Sequence, residues 1–189
     1  DADVVVSYRA LLNRPGAVAS CAAFLLYCGA EFVTGLWSST YFVTMRGVAP
    51  KTAASWASLF YFGIMAGRLL SGFAAMKLSD RALIRIGEGV AIAGLVVLLL
   101  PLSNALQVAG LALVGLGCAP LFPSMLDETP ELFGKRYSQG LMGLQFAGAY
   151  IGGTLLPPLF GWLSPVIGLR AWPVYLLILM AALTLVTEQ

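Results

Sequence analysis

Six predominantly apolar stretches run along the chain, from about Ala17 to Val43, Thr52 to Met76, Leu83 to Leu100, Ala105 to Leu126, Ser138 to Leu163 and Ala171 to Val186. Each approaches or exceeds the roughly 20 residues a helix needs to cross a bilayer. Polar or turn-forming segments separate them. Arg46 to Lys51 follows the first, Lys77 to Arg81 the second, Pro101 to Asn104 the third, and Asp127 to Tyr137 the fourth. Ser164-Pro165 is expected to close the fifth in a short apolar turn. The runs are apolar on all sides, without the alternation of a transmembrane strand. Within lipid the backbone must satisfy its own hydrogen bonds, which favours helices. The pattern predicts an all-α membrane protein of six transmembrane helices, with residues 1–15 as a cytoplasmic linker and 16–189 as the helical domain.

Composition agrees. Of 189 residues, 59% are hydrophobic and 11% charged, against about 25% charged in a soluble domain. A net charge of +2 is too small to indicate nucleic acid. Histidine is absent, which removes Ser–His and Cys–His nucleophile pairs. No catalytic motif or cofactor-binding loop stands out, so no enzyme activity and no cofactor is expected. Cys21, Cys28 and Cys118 lie in apolar runs and read as small buried hydrophobes. The polar start at Asp1 reads as a linker in a chain cut from something longer.

Lys and Arg distribute unevenly between the two sides. With six spans, the N-terminus and the loops after the second and fourth helices share Arg9, Arg14, Lys77, Arg81, Arg85, Lys135 and Arg136. The opposite side holds Arg46, Lys51 and Arg170. The positive-inside rule therefore places both termini in the cytoplasm. Gly63 with Gly67, and Gly148 with Gly152, are GxxxG pairs that predict close helix packing. Pro120, Pro123, Pro157 and Pro158 interrupt the fourth and fifth runs, where kinks are expected.

Glu31 is the most informative residue. A charged group near mid-membrane costs at least a few kcal/mol and marks a functional candidate. Tyr27, Glu31, Thr34, Ser38 and Tyr41 are spaced 4, 3, 4 and 3 apart, so they share one helix face. Hydroxyls and a carboxyl on one face can hydrogen-bond a polyhydroxylated solute, and Trp37 offers an apolar plate for a sugar ring. Such residues also act as interhelical glue. Burial disfavours the ionised form of a carboxyl, so Glu31 is also a candidate proton carrier. Tyr61, Gln145 and Tyr150 are weaker candidates for the same cavity, each read first as a packing or interhelical contact, and Gln107, near a helix end, is expected at an interface. Arg68, within the second helix, is expected to form a gating or structural ion pair with Asp80 or Glu88, with Arg81 beside it.

Several stretches resemble the major facilitator superfamily, and its fucose-permease branch in particular. Phe24-Leu25-Leu26-Tyr27-Cys28-Gly29-Ala30-Glu31 is similar to that branch's Tyr-x-Gly-x-Glu pattern in the seventh helix of the full transporter. Gly67-Arg68-Leu69-Leu70-Ser71-Gly72 resembles its eighth-helix Gly-Arg segment, and Lys77 to Arg85 the second copy of its cytoplasmic loop motif. Gly117 to Pro123 resembles the tenth helix, and Gly152 to Gly161 the eleventh. The resemblance implies the C-terminal six-helix half of a twelve-helix transporter, built from two inverted three-helix repeats. It also implies that the first and fourth helices line the cavity. The branch's known proton-linked acids lie mainly in the other half, so Glu31 could instead bind substrate or set the cavity field.

The expectation is secondary active transport of a sugar-like solute by alternating access, with proton symport, in a bacterial inner membrane. The expected partners are the lipid bilayer, the solute, the proton, and either a missing N-terminal half or a second copy. A homodimeric transporter or pore, and a membrane scaffold without substrate, are the competing readings.

Overall fold

A computed structural model describes residues 7–188. Among them the chain is helical, without strands. The helices are α1 (Tyr8–Leu12), α2 (Ala17–Arg46), α3 (Pro50–Ala74), α4 (Asp80–Leu99), α5 (Asn104–Cys118), α6 (Leu121–Asp127), α7 (Thr129–Phe133), α8 (Lys135–Ile167) and α9 (Trp172–Thr187). Five stretches are long and apolar enough to cross a membrane: α2, α3, α4, the α5–α7 stretch from Asn104 to Phe133, and the stretch from Leu169 to Thr187 that includes α9. α8 has the length, with 33 residues, but its many Gly and Pro residues dilute its hydropathy. Of the expected linker, residues 1–6 lie outside the described region. The rest carries α1, whose Leu11 is buried against Ala17 and Leu141.

One expected boundary changes. α8 does not stop at Ser164-Pro165; it continues through Pro157, Pro158 and Pro165 and ends at Gly168. Proline removes the amide that would bond the carbonyl four residues back. For Pro165 that carbonyl belongs to Gly161, and the Ser164 hydroxyl donates to it at 3.1 Å. The helix therefore loses little there, and it ends where Gly168 takes φ +82°, a value that side chains other than glycine resist. The fourth run behaves as expected: it breaks at Ala119-Pro120, between α5 and α6.

α2 is the central helix, packed along α8 and α9, with α3 on another flank. α5 lies between α3 and α4, and α4 reaches α9 to close the bundle. Both GxxxG pairs lie at such contacts. Gly148 and Gly152 face the backbone of α2 at Cys21 and Leu25, and Gly63 and Gly67 face α5 at Ala112 and Leu116. Because lipid tails are as apolar as Leu, this close van der Waals packing holds the helices together. Aromatic residues fill the interior. Phe24 meets Phe122 edge-on at 5.1 Å, and Phe42 meets Trp56 at 5.4 Å. The outer surface is apolar too, with Leu36, Phe62, Met65, Leu69, Phe73 and Trp162 exposed, as a lipid-facing surface requires.

Candidate functional site

The polar stripe of α2 does not face one open space. Tyr27, Thr34, Ser38 and Tyr41 are buried, whereas Glu31 is half-buried. The Thr34 hydroxyl donates to the Ala30 carbonyl at 2.7 Å within its own helix. Tyr41 packs its ring on Trp172 at 4.9 Å. The Tyr27 and Ser38 hydroxyls are buried without a hydrogen-bond partner among the described residues. Glu31 sits at the edge of the stripe. At about 100° per residue, Gly35 lies roughly 40° further round α2 than Glu31, and it faces the Tyr61 hydroxyl of α3. The Tyr27, Cys28, Tyr61 and Cys118 side chains all lie within electrostatic reach of the Glu31 carboxyl. α2, α3 and the end of α5 thus meet around Glu31, and the exposed phenol of Tyr61 rests on α2 one turn further on, at Gly35.

Trp37 is placed elsewhere. It is about 120° round the helix from Glu31, on the flank that meets α8. Its indole N–H donates to the Pro157 carbonyl at 3.1 Å, and its ring meets Phe160 edge-on at 5.2 Å. The expected sugar plate is therefore a helix-to-helix contact. Gln145 is likewise fully buried. Its amide donates to Ser20 Oγ at 2.6 Å and Thr129 Oγ1 at 2.9 Å, tying α8 to α2 and α7. Tyr150 is exposed on the outer surface.

The expected ion pair of Arg68 does not form. Glu88 is buried facing α9, where Thr187 Oγ1 donates to it at 2.8 Å. The one salt bridge among the described residues joins Arg85 to Glu188 at 2.5 Å. The Arg85 guanidinium holds the Glu188 carboxyl below its usual range. Arg81 donates to the Thr187 carbonyl at 3.3 Å. α4 and the end of α9 therefore share one polar clasp. Glu88 belongs to it because two turns into α4 its side chain points at α9 rather than α3. Asp80 opens α4, where a negative charge suits the helix N-terminus. It shares with Arg68 and Asp127 a cavity of about 600 Å³, but makes no ion pair across it.

Three structural features lay beyond the sequence reading. Gln107, expected at an interface, is buried and caps α4 by donating to the Val97 and Leu100 carbonyls at 3.3 and 2.6 Å. Arg46 closes the α4–α5 turn from the end of α2, through the Leu102 carbonyl and Asn104 Oδ1. Gly35 stands one turn after Glu31, a spacing visible in the sequence, but its partner Tyr61 was not.

The fold matches the crystal structure of the Escherichia coli fucose:proton symporter FucP. The TM-score is 0.81 at 15% identity, over 96% of this chain and 45% of that one. The membrane protein MosC of Rhizobium meliloti is 30% identical over 133 residues, which is 70% of this chain and 32% of MosC. The glucose/mannose transporter GlcP of Bacillus subtilis is 30% identical over 105 residues, 56% of this chain and 26% of GlcP. The chain thus spans about a quarter to a third of the length of these curated relatives. The family pattern of the Major Facilitator Superfamily matches residues 19–187, nearly all of the helical domain, and the chain belongs to that superfamily of membrane transporters rather than to an enzyme family.

Proposed function

We infer that this chain is the C-terminal half of a secondary active transporter that carries a sugar or similar small polar solute by alternating access, coupled to protons. The observation that carries the reading is Glu31, a half-buried carboxyl in the middle of a 30-residue span, with an exposed phenol from α3 resting on α2 one turn further on, at Gly35. A carboxyl is costly in the membrane interior and is kept where it faces a cavity, a partner or a moving proton. A carboxyl with a phenol offers acceptors and a donor that match sugar hydroxyls. The printed descriptions of FucP as a fucose:proton symporter and of GlcP as a glucose/mannose transporter support the solute class. The shorter span of this chain relative to FucP favours a partner half across the cavity, with Glu31 on its wall. The distribution of Lys and Arg supports a cytoplasmic position for both termini in a bacterial inner membrane.

The test uses the full-length protein in proteoliposomes with labelled L-fucose, D-glucose and D-mannose. Glu31→Gln keeps the shape and removes the ionisable group. Uptake driven by a proton gradient is expected to fall at least tenfold, while solute exchange without a gradient persists. Unchanged gradient-driven uptake by Glu31→Gln ends the coupling assignment. Unchanged uptake by Glu31→Ala as well ends the site assignment.

A further inference from the structure

Gly35 of α2 and Tyr61 of α3 are in direct contact. Tyr61 extends from α3 with its ring edge-on to Phe60 at 5.2 Å. Its hydroxyl comes to rest directly on α2 at Gly35. A Cβ added to Gly35 would collide with that hydroxyl and stand 3.0 Å from Tyr61 Cζ. Tyr61 is 55% exposed, and its hydroxyl donates to no residue among those described. A phenol held this closely on α2, one turn beyond Glu31, keeps its hydrogen-bonding capacity free for something else.

We propose that Gly35 is a specificity-determining position: by carrying no side chain it seats the Tyr61 hydroxyl on α2 one helical turn beyond Glu31, so that the two groups bind hydroxyls of the same solute. The inference rests on the solute site proposed above and adds what sets its width. One helical turn is a rise of about 5.4 Å between backbone positions, short enough for two side chains set that far apart on α2 to reach hydroxyls of one sugar ring. A methyl at Gly35 pushes Tyr61 outward and widens the gap. Gly35 is then a positioning residue and acts on the solute through Tyr61.

The test measures KM and Vmax for labelled L-fucose, D-glucose and D-mannose in the full-length protein, for Glu31→Gln, Glu31→Ala, Tyr61→Phe, Gly35→Ala and the Gly35→Ala/Tyr61→Phe double variant. Gly35→Ala is expected to raise KM for the best-carried sugar roughly three- to tenfold, the change that losing one hydrogen bond produces, with Vmax within about twofold. It is also expected to alter the ranking of the three sugars. Tyr61→Phe is expected to raise KM similarly, and the double variant no further, because both changes remove one interaction. Tyr61→Phe deletes the obstructing oxygen, so the double variant is expected to regain melting temperature lost in Gly35→Ala. A parental KM in Gly35→Ala, or KM effects that multiply in the double variant, overturns the inference while leaving Glu31 in place. If Gly35→Ala does not fold, a parental KM in Tyr61→Phe overturns it alone. Parental transport by Glu31→Gln and Glu31→Ala, or transport of none of the three sugars, removes the site on which it rests.

Discussion

Replacing Gly152 with alanine probes the packing that makes this a bundle. Gly152 lies on α8 against the backbone of α2. A Cβ there would collide with the Leu25 carbonyl and fall 2.7 Å from its carbon and 2.9 Å from its Cα. Every obstructing atom is backbone, so no side chain can rotate aside and the two helices must separate. Overpacking of this kind costs about 1–3 kcal/mol, and the absence of a flexible neighbour puts Gly152→Ala at the upper end. Gly143, nine residues earlier on the same helix, provides the control. Nothing lies within 4 Å of its added Cβ, so Gly143→Ala is expected to be neutral or stabilising by about 0.5–1 kcal/mol through helix propensity. For a chain of this size about 1 kcal/mol moves the midpoint by roughly 2–4 °C. Thermal unfolding of the purified protein should place Gly152→Ala about 5–10 °C below the parent and Gly143→Ala at or slightly above it. Equal midpoints for the two variants would refute the claim that α2 and α8 are in backbone contact at Gly152.

Other outcomes follow from the polar contacts. Gln145→Ala leaves Ser20 and Thr129 without their shared partner and is expected to cost about 1–3 kcal/mol, read as a lower unfolding midpoint with little change in KM. The Arg85–Glu188 pair should respond to pH with a definite sign. Arg85 lowers the Glu188 carboxyl's pKa, so its contribution is present above the ordinary glutamate range and disappears as pH falls through the lowered value. The difference in unfolding midpoint between the parent and Glu188→Gln should therefore be small at neutral pH, since the pair is exposed, shrink further with added salt, and vanish in acid. Glu88→Leu removes the acceptor that the half-buried Thr187 hydroxyl finds on α4, leaving it only the Leu183 and Thr184 carbonyls of its own helix, and should lower the midpoint more than Glu88→Gln, which keeps an acceptor there.

The helices were legible because length and apolarity alone decide what can cross a bilayer, and the GxxxG glycines were legible because close packing leaves few other choices. The rotation of each helix was not. Trp37 and Glu31 lie on one helix, six residues apart, yet one turns to α8 and the other toward α3. Glu88 is, with Asp80, an expected partner of Arg68, but it faces α9, and a one-dimensional pattern does not say which neighbour a face will meet. The end of α8 was misplaced for a local reason: Ser164 satisfies the carbonyl that Pro165 leaves free. Within the proposed site, Glu31 was legible as an expensive charge. Gly35 was invisible until its partner was known.

The account turns on Glu31 facing a water-filled solute cavity rather than lipid or a sealed interface. The most direct measurement is the reaction of Glu31→Cys with a small, membrane-impermeant thiol reagent, in the full-length protein with Cys21, Cys28 and Cys118 replaced by serine. The account predicts labelling from the aqueous phase that the best-carried sugar slows. Labelling that no sugar affects, or no labelling in a folded protein, would contradict it.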